Sequence, residues 1–69
     1  MSELDVHRLD ELASRLDAVV AELDDIALEV LREASADNAG ERPVLDKRLT
    51  QARRATERAS HLVRTISRG

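Results

Sequence analysis

Two histidines, His7 and His61, are the side chains of this 69-residue sequence best suited to proton transfer or metal ligation near neutral pH. Each has a glutamate four residues earlier, Glu3 and Glu57, so on a helix each pair would share a face. Di-metal centres in helical bundles instead use Glu-x-x-His with the ligands turned inward. The spacing here is one residue too long, and both histidines fall opposite the apolar stripe described below. With no cysteine in the chain, a thiolate site is excluded as well. No metal and no other cofactor is expected.

Nucleophilic chemistry fares no better. Ser60 precedes His61, but neighbouring residues on a helix diverge by about 100° and do not face one another. The acidic pairs Asp10-Glu11 and Asp24-Asp25 lie in polar stretches where nothing obvious would perturb a carboxylate. Gly40 is the one internal glycine, too few for a glycine-rich phosphate loop or a dinucleotide fingerprint. The sequence predicts a protein that is not an enzyme.

A third chemistry is phosphate binding. Lys47, Arg54, His61 and Arg68 recur every seven residues, with Arg58 alongside. On a helix this is an outward row of cations roughly 10 Å apart, a spacing that could follow a nucleic-acid backbone. Lys47, Arg54, Arg58 and Arg68 are its candidate phosphate contacts. Against it stand a net charge of −3 and the absence of any aromatic ring to stack on a base. A nucleic-acid-associated protein is therefore the alternative reading. The converse row, Glu3, Asp10, Asp17 and Asp24, would suit a basic partner, although a solvated face is the plainer account.

These residues must be positioned by two long segments, free of internal breakers, on either side of the stretch 36–43. That stretch contains Asp37, Asn38, Gly40 and Pro43. The first segment opens at Ser2 with an acid, Asp5, three residues on, close to a capping box. Apolar residues then fall at Leu9, Leu12, Leu16, Val19, Leu23, Ile26 and Val30, alternating steps of three and four. That is a heptad seam, widened by Ala13, Val20, Ala27 and Ala34. The second segment has Leu45, Leu49, Ala52, Thr56, Ala59, Val63 and Ile66 in the same rhythm, widened by Ala55 and Leu62. Thr56 lies in this seam, with its hydroxyl expected on the carbonyl of Ala52. The prediction is one all-α domain over 1–69. A helix over about 3–36 and a helix over about 43–67 are joined by a loop near 37–42 into an antiparallel, coiled-coil-like hairpin. A turn centred near Ala39 would set Leu49 by Ile26 and Val30, Thr56 by Leu23, Ala59 by Val19, and Ile66 by Leu12. Glu29 and Arg48 would then be placed to form an ion pair.

Charge is divided unevenly along the chain. Residues 1–37 carry 11 acids and three arginines, whereas residues 41–69 carry eight basic residues and three acids. An acidic helix beside a basic one favours the hairpin. In any four-helix assembly it sets the two acidic helices diagonally. Association is expected because a chain this short, without rings or disulfides, has too little apolar interior to stay ordered alone.

The self-association seam reads Leu9, Leu12, Leu16, Val19, Val20, Leu23, Ile26, Val30, Leu45, Leu49, Leu62, Val63 and Ile66. Leu28, Leu31 and Val44, which lie off the stripe, are candidates for extending that surface near the loop end. The expected partners are a second copy, as a homodimer making a four-helix bundle, and a protein whose identity the sequence does not disclose. The function class that follows is a small scaffold or regulator acting through protein–protein contacts. No apolar run approaches the roughly 20 residues needed to span a bilayer, so no membrane association is expected. The acidic start of the sequence does not resemble an export signal, which points to the cytoplasm. Ten arginines to one lysine fit a GC-rich bacterial coding sequence.

Overall fold

The computed structural model describes residues 2–33 and 42–69, the side chain of Arg42 apart. Two α-helices account for nearly all of these: α1, Glu3–Glu33, and α2, Arg42–Ser67. No strand occurs among the described residues. The start of α1 is fixed by Ser2, whose Oγ accepts a hydrogen bond from the amide of Asp5 at 3.2 Å. Glu3 and Asp5 put negative charge on the first turn, where the helix dipole favours it. Pro43 stands in the first turn of α2, where its missing N–H costs nothing and its fixed φ suits the helix. The expected end of the first helix at Ala36, the loop over 37–42 up to its last residue, and Gly40 lie outside the described residues. Arg42 itself already belongs to α2, one residue earlier than its spacing predicts.

The helices pack against each other antiparallel. Asp10 near the start of α1 meets Ser67 at the end of α2, and Asp24 farther along α1 meets Arg53. The pair forms a slab with principal extents of 54 × 14 × 9 Å. Three threonines of α2, Thr50, Thr56 and Thr65, donate their hydroxyls to the carbonyls of Asp46, Ala52 and His61 one turn back. Thr56 thus behaves as its place in the sequence implies.

The line along which the helices meet differs from the most apolar one. On α1 the covered residues are Val6, Leu9, Ala13, Leu16, Val20, Leu23, Ala27 and Val30, again in steps of three and four. On α2 they are Asp46, Leu49, Arg53, Thr56, Ser60, Val63 and Ser67, with Ala59 and Arg64 beside them. The column Leu9, Leu16, Leu23, Val30 and the column Leu49, Thr56, Val63 take part as expected. Their companions do not. Leu12, Val19 and Ile26 stay 46%, 42% and 44% exposed, and Leu45, Leu62 and Ile66 are similarly open.

Relative to the seam with the largest side chains, each helix is rotated toward its smaller and more polar neighbours. Two physical causes are visible. Ala13, fully buried, allows the backbones to come close where Ser60 meets it. The same rotation brings a row of aspartates within reach of α2, as described next. The consequence for packing is severe: no large side chain among the described residues is fully buried.

Candidate functional site

One flank of the slab is polar and internally satisfied. Asp10, Asp17 and Asp24 recur every seven residues on α1, as Arg53, Ser60 and Ser67 do on α2. Running in opposite directions, the two rows meet rung by rung. Ser67 Oγ lies 2.7 Å from Asp10 Oδ1 and 2.9 Å from the carbonyl of Arg64. Ser60 donates to Asp17 Oδ1 at 2.6 Å, accepts from Arg64 Nη1 at 2.5 Å, and lies 3.3 Å from the carbonyl of Ala13. Arg64 Nη2 completes that rung on Asp17 Oδ2 at 2.5 Å. In the third, Arg53 holds Asp24 through Nε and its own-helix neighbour Glu57 through Nη1, both at 2.6 Å.

The electrostatics follow from these bonds. The Arg64 guanidinium first, and the Ser60 hydroxyl second, hold the Asp17 carboxyl below its ordinary value of 3.8. The hydrogen bond to Asp24 raises the already high pKa of Arg53, and that to Asp17 does the same for Arg64. Because these ion pairs are about half exposed, solvent screens them, and they specify alignment more than they add stability.

The acidic row singled out as a possible docking strip is therefore occupied from within the chain at Asp10, Asp17 and Asp24. The sequence carried a signal for this that hydrophobic periodicity overlooks: an acidic heptad row on one helix matched by a Ser/Arg heptad row on the other.

The opposite flank is apolar and open. Since Arg64 reaches Asp17 across the polar flank, the residues on the far side of each helix share the other one. These are Leu12, Val19 and Ile26 on α1, and Leu45, Ala52, Ala59 and Ile66 on α2, with Leu62 at its edge. An open depression of about 410 Å³, lined by Asp5, Arg8, Leu9 and Leu12, marks the start of this flank on α1. Seam residues of the sequence reading thus divide into two sets. Leu9, Leu16, Val20, Leu23, Val30, Leu49 and Val63 hold the hairpin together, whereas Leu12, Val19, Ile26, Leu45, Leu62 and Ile66 face solvent.

The remaining candidates lie elsewhere. Leu31 is in line with Asp24 on the polar flank, Leu28 sits one turn before it, and Val44 lies in the first turn of α2; all three are exposed. Lys47, Arg54, Arg58 and Arg68 are exposed on the outer side of α2, with His61 in their row. None of them has an ion-pair partner among the described residues. Glu29 and Arg48 are likewise exposed and do not bridge each other.

His7 pairs with Glu11 rather than Glu3, at 3.0 Å, and Glu57 serves Arg53 rather than His61. Among the described residues, no three metal-ligating side chains gather at one point. No described helix is long and apolar enough to cross a membrane. Comparison with protein-family models, characterised proteins and solved structures gives no match.

Proposed function

We propose that this chain is a non-enzymatic protein-interaction module, a small scaffold or regulator that works as a homo-oligomeric bundle of helical hairpins. One observation carries the reading. The hairpin turns its polar column inward and leaves Leu12, Val19, Ile26, Leu45 and Ile66 about half exposed on one flank, and no large side chain among the described residues is completely buried. Ordering some sixty residues against solvent with so little interior leaves an isolated hairpin short of stabilising contacts. Covering the open flank supplies them. Contiguous exposed apolar surface is the usual mark of a protein contact.

Sedimentation equilibrium at micromolar concentration tests this. Self-association with coupled helix formation is expected; a well-folded single chain that melts cooperatively would refute it.

A second reading has its own supporting observation. Lys47, Arg54, Arg58 and Arg68 are exposed cations with no ion-pair partner among the described residues, on a side of α2 that bundle formation would leave free. They suit contact with nucleic-acid phosphates. A shift of labelled DNA or RNA at low salt, abolished by replacing these four residues with Gln, would establish it. No shift at low salt would dismiss it.

A further inference from the structure

The geometry points to the apolar flank as the surface on which a second copy of this chain docks, face to face, with the acidic α1 of each copy lying over the basic α2 of the other. This rests on the interaction-module reading and adds to it which flank is used and how the copies are oriented. Three observations support it.

The first is extent. Leu12 to Ile26 on α1 and Leu45 to Ile66 on α2 keep large apolar side chains exposed over roughly 20 Å and 30 Å of helix on one flank. The second is relief. The rungs of the polar ladder fix the levels of the two helices, so Leu12 stands beside Ile66, Val19 beside Ala59, and Ile26 beside Ala52. Large side chains of α1 sit beside small ones of α2 over the middle of the flank. Laying the partner's α2 over α1 therefore puts small opposite large once more, which lets the two layers interdigitate.

The third is charge. α1 carries ten acids against three arginines, and α2 seven basic residues against two acids. Stacking α1 on α1 sets like against like, whereas stacking α1 on α2 sets opposite signs together and the two acidic helices on a diagonal. Such a dimer has its twofold axis parallel to the helices, and both hairpins turn at the same end.

This orientation also finds a role for two groups that have no partner among the described residues. Glu29 lies one turn beyond Ile26, and Arg48 one turn beyond Leu45, both on the outer rim of the apolar flank. They do not reach each other within the chain. Across the dimer each comes level with the opposite group of the other copy, giving two symmetric ion pairs that fix the register.

The experiment has two arms. In the first, sedimentation equilibrium at about 100 µM compares wild type, V19K/I26K and L28E/L31E. The expected result is a dimer for wild type and L28E/L31E, and association at least about a hundredfold weaker for V19K/I26K. A V19K/I26K variant that stays dimeric overturns the flank assignment. If L28E/L31E alone loses the dimer, the interaction-module reading survives and the interface moves to the polar flank. A monomeric wild type overturns both.

The second arm leaves the flank intact, so that it does not depend on whether a variant folds. The chain has no cysteine, so Arg32→Cys gives a unique spin-label site near the end of α1. With both turns at one end, the label-to-label distance is below about 30 Å. With turns at opposite ends it exceeds about 40 Å, because Arg32 lies thirteen residues at 1.5 Å beyond the level of Val19 in each copy. The longer distance overturns the orientation.

Discussion

The two flanks of the hairpin are made of the same helices and the same heptad rhythm, yet they carry opposite surfaces. On one, Asp10, Asp17 and Asp24 meet Ser67, Ser60 with Arg64, and Arg53, so that each rung is satisfied within the chain. On the other, Leu12, Val19, Ile26, Leu45 and Ile66 stay 42–52% exposed. The difference separates two tasks that packing arguments usually merge. Directional bonds decide how α1 and α2 align over their shared column of Leu9, Leu16, Leu23, Leu49 and Val63, while the remaining apolar column is left for whatever covers the slab. A hairpin rotated the other way, with Leu12, Val19 and Ile26 turned into the seam beside Leu9, Leu16 and Leu23, would have left less apolar surface open.

The polar flank is most sensitive where Ser60 meets the Ala13 backbone. Ala13 is fully buried and Ser60 only 2% exposed, so Ala13→Leu forces the backbones apart at the central rung. Overpacking of this kind costs about 1–3 kcal/mol, and the urea midpoint should fall accordingly. An unchanged midpoint would mean that the helices do not touch there. Ser60→Ala is milder. It removes one hydroxyl that both donates to Asp17 and accepts from Arg64, and should cost about 1 kcal/mol by the same measurement.

The polar flank should also respond to acid. The folded-state pKa of Asp17 lies below its unfolded value, so its contribution is complete above the ordinary carboxylate pKa of 3.8. That contribution is lost as pH falls through the lowered folded value. Thermal stability of D17N should accordingly vary less than that of wild type over this acid range. Equal slopes would show that Asp17 does not titrate against Arg64.

At the rim of the apolar flank, Glu29→Arg should weaken self-association by a few-fold, and adding Arg48→Glu should restore it. Additive losses in the double variant would remove that pair from the interface. The smallest effect is expected for Leu28→Ala, exposed on the polar side and far from the open apolar columns. Its stability should change by less than about 0.5 kcal/mol.

Much of this fold is legible in the sequence. Long spans with apolar steps of three and four, Ser2 ahead of Asp5, and the Gly40–Pro43 break are enough to place both helices and their antiparallel pairing. The face on which they meet is not. Leu9, Leu16, Leu23 and Val30 belong equally to two seams, one completed by Leu12, Val19 and Ile26, the other by Val6, Ala13, Val20 and Ala27. Hydrophobicity favours the first. The structure takes the second, because Ala13 admits a closer backbone approach and because only that rotation sets the aspartate row against Arg53, Ser60 and Ser67. Such information is pairwise and long-range. It emerges only when the two helices are laid side by side in register, and a periodicity count along one helix does not contain it. Leu31, off the stripe in sequence and a candidate for extending the self-association surface, stands in line with Asp24 on the polar flank.

If the open flank must be covered for the helices to persist, helix content depends on concentration. Circular dichroism of the wild-type chain across dilution from about 100 µM to about 0.1 µM addresses this directly. Helicity should fall with dilution, in step with the loss of the dimer mass. Full helicity and an unchanged melting temperature across the whole range would contradict it.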